Sequence, residues 1–288
     1  MKFAITATDR YLGVFEAFVE AGWTPLKLFT EQAKNVLSSQ SAVISFAEQN
    51  NAAVQISKMT VLDLTELHRL GCEVLVVASY PHKIHDWRPF LKYAVNFHPS
   101  PLPVGRGPYP IVRAILENRD IWAVTCHRLT SELDKGDILA SKEFSLQPDE
   151  CHESIDLKTQ IAAKRLATEI ADQFIPLWEQ AIPQEAGEYW NRPTIEERVL
   201  NFQMPVEQIM RQIRAYGANG TFALINNSWL DVKRAIGWTE QHHDVPSLVV
   251  HCFDKSIVIA ALDGYIGLLD YAPVAETNRM SIGFQRTG

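Results

Sequence analysis

Apolar and polar positions follow two rhythms along this chain. KFAITAT opens as a strand, and YLGVFEAFVEAG follows as a helix, with Leu12, Phe15, Phe18 and Val19 at helical spacing and Gly22 as its stop. WTPLKLFT reads as a second strand, AVISFAEQNN as a helix, AAVQIS as a third strand and TVLDLTELHRLG as a helix. EVLVVASY is apolar almost throughout, as in a strand covered on both faces. YAVNFHPS is a strand, PYPIVRAILEN a helix, and WAVTCHRLT and DILASKEFSL two further strands. A long helical stretch runs from about Glu153 to about Ala181, with a bend expected near Pro176. Strands alternating with helices predict an α/β fold: an open, mostly parallel sheet with helices on both faces.

The rhythm changes after about residue 183. AIPQEAGEYWNRPTIEERV is rich in proline, glycine and charge and reads as a linker crossing the surface. PVEQIMRQIRAYG is an amphipathic helix, with Val206, Ile209, Met210 and Ile213 on one face and Gly217 as its stop. TFALI, LDVKRAIGW, LVVHCF, SIVIAAL and YIGLLDYA are short strands separated by turn residues, the pattern of a small β-barrel of OB type. The expected organisation is a large domain over 1–188, a linker over 189–205 and a small C-terminal β domain over 206–288.

Bulk properties narrow the function. The chain has 288 residues and a net charge of −7, which argues against a surface built mainly for phosphate backbones. Cys72, Cys126, Cys151 and Cys252 form no CxxC pair and are expected to be buried free thiols in a cytoplasmic protein. The N-terminal stretch MKFAITATDRYLG does not read as a signal peptide, so none is expected, and no run approaches the ~20 apolar residues of a membrane helix. The first strand–helix turn, TATDRYLG, lacks GxGxxG, and GxxxxGK[ST] is absent, so nucleotide-driven chemistry has no support. His82 and His85 in PHKIHD have no third ligand at sensible spacing, so no metal is expected.

The chemistry concentrates in NFHPSPLP and SELDKGDILAS. Residues two apart on a strand face the same way, so Asn96 and His98 project together from the strand's C-terminal end, where ligands bind in open α/β sheets. Pro99, Pro101 and Pro103 stiffen the departing backbone. Gly136 permits a tight turn flanked by Asp134 and Asp137, and an aspartate from this loop beside His98 would orient the imidazole. Asn96 and His98 can donate hydrogen bonds to a developing oxyanion. No activated Ser or Cys lies nearby, and Ser100 stands in a Pro-Ser-Pro context rather than a GxSxG elbow. The combination suggests acyl transfer by direct attack of an amine.

NFHPSPLPVGRGPYPI followed by ELDKGDIL resembles the formyltransferases that use 10-formyltetrahydrofolate, whose pattern is Asn-x-His-x-Ser-Leu-Leu-Pro and then Leu-Asp-x-Gly-Asp. The resemblance implies a Rossmann-like formyltransferase fold, 10-formyltetrahydrofolate as donor, no metal, and Asn96, His98 and Asp134 as catalytic residues. Asp134 follows His98 by 36 positions, which fits the family, whereas Pro101 replaces its usual leucine. VVASYPHKI resembles the strand and loop that shape the folate pocket, with His82 and Lys83 a departure. It implies donor contacts from Tyr80 and Ile84, together with Leu102, Leu133, Gly136 and Asp137. Residues 189–288, through NRPTIEERVLNF, RQIRAYG and GTFALINN, resemble the C-terminal domain of methionyl-tRNA formyltransferases and the related aminoarabinose formyltransferases.

Charge bears on the choice of acceptor. The tRNA enzymes of the family carry a basic loop after the second strand, but EQAKNVLSSQSAVIS here holds a single lysine. From Arg198 to the end, eight Lys/Arg are matched by eight Asp/Glu, a poor clamp for an acidic RNA. A small amine acceptor, an amino sugar nucleotide or an amino-acid-derived amine or hydroxylamine, is therefore preferred, with methionyl-tRNA as the alternative. Ser100, Arg106 and Arg113 are candidate acceptor contacts; the arginines would meet a phosphate, or else form a solvated face or a helix-end ion pair. A hydrolase releasing formate and a non-catalytic folate-binding module remain as readings from other classes. The sequence assigns no oligomeric state.

Overall fold

A computed structural model describes residues 1–31, 40–254 and 256–274. The chain divides into two compact units: residues 1–110, 121–145 and 157–190 form the first, and 111–120, 146–156 and 191–288 the second.

The first unit is built on a seven-stranded sheet. Its strands are β1 (Lys2–Thr6), β2 (Thr24–Thr30), β3 (Ala53–Ile56), β4 (Val74–Val77), β5 (Tyr93–His98), β6 (Ile121–Arg128) and β7 (Ile138–Ser145), in the order β3-β2-β1-β4-β5-β6-β7. The first five are mutually parallel, and β6 and β7 are antiparallel additions. Both faces are covered, and the two-residue side-chain period sorts each strand between them. Phe3, Ile5, Val74, Val76, Val95, Phe97, Val124 and Cys126 join one core with α1 (Leu12–Glu20) and α5 (His152–Asp172). Ala4, Leu75, Val77 and Ala94 join the other, with α3 (Val61–Arg69), Trp87 and Leu91. Asn96 and His98 continue the parity of Ala94, which carries them to the second face.

Local signals set the helix ends. Thr60 and Asp63 form a reciprocal capping box at the start of α3. A short helix α2 (Ser41–Gln49) covers the region between β2 and β3. The expected bend of the long C-terminal helix falls at Gln173, where α5 gives way to α6 (Phe174–Glu179). Pro176 sits inside the first turn of α6, where its missing N–H is of no consequence, so the break precedes the proline rather than coinciding with it.

The second unit contains α4 (Pro110–Leu116, from Ile111 onward), α7 (Val206–Tyr216) and five strands: β8 (Thr221–Ile225), β9 (Ser228–Thr239), β10 (Val249–Phe253), β11 (Ser256–Ala260) and β12 (Gly264–Pro273). These form an antiparallel sheet in the order β10-β11-β12-β9-β8. Val206, Ile209 and Ile213 of α7 pack into its core with Val232, Ile259, Ile266 and Leu268. The stretch expected as a linker is not solvated throughout. Trp190 is buried, and Leu200 and Phe202 enter the core of the second unit, with Leu200 N donating to Phe222 O at 2.7 Å. The expectation of buried thiols holds for Cys72 and Cys126, whereas Cys151 is half-buried and Cys252, on β10, is exposed. Among the described residues no helix is long and apolar enough to cross a membrane.

Phe18 of α1 is fully buried, with ring centroids 5.6 Å from Phe3, 4.8 Å from Trp23 and 6.2 Å from Phe97. Phe18→Ala leaves a cavity at the junction of α1 and the sheet and should cost about 3–5 kcal/mol in urea unfolding. A loss below about 1 kcal/mol would contradict this packing.

Candidate functional site

The site lies at the C-terminal end of β5. Register places Asn96 opposite His127 and His98 opposite Thr125 on β6. Since Val124 and Cys126 face the first core, His127 and Thr125 share the face of Asn96 and His98. Thr125 braces the proline loop, its hydroxyl donating to Ser100 O at 2.7 Å and accepting from Leu102 N at 3.2 Å.

The loop between β6 and β7 brings Asp134 to this face. Asp134 sits at φ +55°, in the left-handed region that aspartate tolerates better than most residues. Gly136 admits no side chain, since a Cβ there would stand 1.8 Å from Arg128 O. The Asp134 carboxylate is held from several sides. Its Oδ2 accepts from Gly107 N at 2.9 Å, while its Oδ1 lies 3.5 Å from His98 Nδ1 and accepts from Asn96 Nδ2 at 3.4 Å. The three widely separated residues therefore meet, and His98 is almost wholly buried.

The backbone partners decide which ring nitrogens carry protons. His98 Nε2 stands 2.8 Å from Gly105 O, which can only accept, so Nε2 carries hydrogen and Nδ1 faces Asp134. His127 Nδ1 likewise donates to Arg128 O at 2.9 Å. Its Nε2 is then a bare lone pair, and it accepts from Asn96 Nδ2 at 3.0 Å. Burial, and next the neighbouring charge of His98, push the His127 imidazole down to about 4 against the opposing pull of Asp134, so it stays neutral. His127 thus fixes which end of the Asn96 amide faces the site. Its only sequence signal is a histidine inside the apolar strand WAVTCHRLT, and no spacing rule links it to Asn96; the link is the cross-strand register.

The remaining candidate residues serve varied roles. Tyr80 and Ile84 pack against the second core, and Tyr80 Oη accepts from Met59 N at 2.7 Å. Leu102 is buried in the proline loop, whereas Leu133 is exposed. Asp137 Oδ2 pairs with Arg128 Nη1 at 2.7 Å. Ser100 is fully buried, and its hydroxyl donates to Val104 O at 2.8 Å. Arg106 is buried too, donating to Gln184 Oε1 and to Glu185 O. The polar groups of Ser100 and Arg106 thus brace the loops rather than face solvent. Arg113, on α4, pairs with Glu197 at 3.4 Å within the second unit, the ion-pair reading of that residue.

Gly107 N, Asn96 Nδ2 and His98 Nδ1 thus surround the Asp134 carboxylate at the C-terminal rim of the doubly covered α/β sheet. The sequence matches the formyl transferase model over residues 30–170 and the formyl transferase C-terminal domain model over 194–282. The chain belongs to the formyltransferase family. Methionyl-tRNA formyltransferase of Pseudothermotoga lettingae is 26% identical over 274 residues, covering 92% of this chain and 89% of that one. Among solved structures, the N-formyltransferase from Helicobacter canadensis, in complex with folinic acid and dTDP-3-aminofucose, superposes with a TM-score of 0.68 at 15% identity, covering 94% of this chain and 99% of that one. HypX from Aquifex aeolicus, in complex with tetrahydrofolic acid, gives a TM-score of 0.68 at 16% identity over 96% of this chain, which spans 45% of HypX.

The depressed His127 has a pH signature. The unfolded state takes up its proton as pH falls through the ordinary histidine value near 6.5, whereas the folded state does so only near 4. The neutral imidazole's contribution is complete above that window and is lost as pH falls from about 6.5 to about 4. The loss is on the order of 3 kcal/mol. His127→Gln should flatten this part of the pH dependence in urea unfolding; an unchanged slope would contradict a buried neutral His127.

Proposed function

We propose that this protein transfers the formyl group of 10-formyltetrahydrofolate to the amine or hydroxylamine nitrogen of a small acceptor, such as an amino sugar nucleotide or an amino-acid derivative. The observation that carries the reading is the meeting of Asn96 Nδ2 and His98 Nδ1 at Asp134 Oδ1, 3.4 and 3.5 Å away. Family membership supports the reaction type, and the folate ligands of the Helicobacter canadensis enzyme and of HypX support the donor.

The geometry suggests how the residues act. Asn96 Nδ2–H and His98 Nδ1 reach Asp134 Oδ1 only at long range, 3.4 and 3.5 Å. A formyl oxygen seated beside them recruits both donors as it becomes an oxyanion. The acceptor nitrogen attacks the formyl carbon and a new C–N bond forms. The bond from that carbon to N10 of the folate then breaks. One proton leaves the attacking amine and one arrives at N10, so the products are the formamide and tetrahydrofolate. Asp134 Oδ1 is placed to accept the first and His98 Nδ1–H to supply the second. His127 holds the Asn96 amide in its donating orientation throughout.

The small-acceptor reading rests on charge balance in the C-terminal region and on the single lysine in 31–45; residues 32–39, with Lys255, Glu276, Arg279 and Arg286, lie outside the described residues. Methionyl-tRNA is the second reading, favoured by the similarity to the Pseudothermotoga lettingae enzyme along nearly its whole length.

The test is a panel of amines, including dTDP-3-aminofucose, hydroxyornithine and methionyl initiator tRNA, incubated with 10-formyltetrahydrofolate and read by the mass gain of one formyl group. A small amine should gain the group, and His98→Ala or Asp134→Ala should lower turnover by about two or more orders of magnitude. Efficient formylation of the tRNA alone would replace the small acceptor. Formate release in place of amine formylation would make the protein a hydrolase.

A further inference from the structure

The chain leaves the first unit through a segment that crosses both loops of the site. Ile182 exchanges backbone hydrogen bonds with Ile138 at the start of β7, at 2.8 and 2.9 Å. Two residues later, the Gln184 side chain reaches into the gap between the loops. Its Nε2 donates to Asp134 O at 2.9 Å and to Gly136 O at 2.7 Å. Its Oε1 accepts from Arg106 Nε at 3.2 Å and Nη2 at 3.1 Å. Carbonyls can only accept and a guanidinium can only donate, so the amide has one workable orientation and all its hydrogen-bonding capacity is used.

Arg106 is the middle of three consecutive residues that each hold part of the site. Gly105 O accepts from His98 Nε2, and Gly107 N donates to Asp134 Oδ2. Between them, Arg106 is buried, its Nη2 donating to Glu185 O at 2.8 Å and its carbonyl accepting from Trp190 N at 2.7 Å. Trp190 in turn stacks on Trp122, with centroids 6.1 Å apart and planes at 11°. Gly187 lies so close to Pro103 that a Cβ would stand 2.2 Å from its carbonyl oxygen. The segment 182–190 therefore ties the loop carrying residues 105–107 to the loop carrying Asp134, and Gln184 makes the direct link.

We infer that Gln184 is a positioning residue for formyl transfer: it pins the backbone of Asp134 and Gly136 in the left-handed turn that aims the Asp134 carboxylate at His98 and Asn96. The inference rests on the formyl-transfer reading of the site. Gln184 touches none of the three side chains. It acts through the main chain of Asp134, held in the left-handed region at φ +55°, and through Arg106, which fixes the neighbouring loop.

Gln184→Met keeps the side chain's length and removes every hydrogen bond. The full-length variant is compared with wild type, Asp134→Asn and the double variant. Turnover is read with whichever of dTDP-3-aminofucose, hydroxyornithine and methionyl initiator tRNA the wild type formylates, and the crystal structure of Gln184→Met is determined alongside. The inference expects kcat to fall about 10–100-fold while KM for 10-formyltetrahydrofolate changes less than about threefold, because the folate is still bound as before and only the transition state is less well stabilised. In the Asp134→Asn background the same change should cost less than about twofold, since its route of action is already gone. The crystal structure should show Asp134 out of the left-handed region and its carboxylate withdrawn from His98. An unmoved Asp134 overturns the inference whatever the assay reads. So does a kcat within twofold of wild type while Asp134→Asn is impaired, and that result leaves the formyl-transfer reading standing. Unimpaired Asp134→Asn would instead remove the reading on which the inference rests.

Discussion

The arrangement depends on where one carboxylate is held. Asp134 belongs to a loop whose backbone adopts a conformation that few residues accept, and its two oxygens satisfy different partners. Oδ2 is anchored by the backbone amide of Gly107. Oδ1 is left to the weaker, longer approaches of Asn96 and His98. On the proposed formyl-transfer reading, this division of labour matters chemically: a firmly anchored carboxylate stays in place while donors that it holds loosely remain free to turn to a substrate oxygen. Each glycine around it has a separate steric reason. Gly136 leaves no room for a Cβ against Arg128 O, and Gly107 would drive one to 2.3 Å from Trp190 O. Gly136 provides close backbone approach, and Gly107, at φ +105°, provides both close approach and a backbone conformation open to glycine.

The sheet supplies the frame for this constraint. Alternating side chains of β1, β4 and β5 fill two cores, so neither face can shift register without exposing apolar groups. The parity that carries Ala94 into the second core carries Asn96 and His98 to the same side, and the antiparallel strand β6 brings His127 across from Asn96. A buried histidine whose Nδ1 is committed to a backbone carbonyl can only accept at Nε2. That commitment determines the donating end of Asn96 without any contact to substrate. The site is thus specified by packing and register before any ligand arrives.

Much of this was legible in the sequence, and the parts that were not share a cause. Strand and helix positions followed from apolar periodicity because the sheet is covered on both sides and the helices are amphipathic. Asn96 and His98 could be paired by the two-residue rule alone, since both lie on one strand. That an aspartate of the SELDKGDILAS loop joins them could be suggested from the chemistry, but Asp134 was singled out over Asp137 only by family resemblance, because no periodicity spans a loop of that separation. His127 and Gln184 escaped for the same reason in two forms. His127 acts across a strand pair whose register the sequence does not state. Gln184 acts from AIPQEAGEYW, a composition that reads as linker, yet Trp190 in that stretch is buried against the site's own loop. The break at Gln173 instead of Pro176 shows the converse: a proline permitted in the first turn of a helix marks where a helix begins as readily as where one ends.

The central claim is that a formyl carbon is received between Asn96, His98 and Asp134. It is tested most directly by a crystal structure of the full chain with 5-formyltetrahydrofolate as a stable stand-in for the donor. The account predicts the pteridine ring beside the Tyr80 to Ile84 loop, and the N10 position, where the donor carries its formyl group, within about 4 Å of Asn96 Nδ2 and His98 Nδ1. A folate bound away from β5, or an Asp134 carboxylate that has left His98 in the complex, would contradict it.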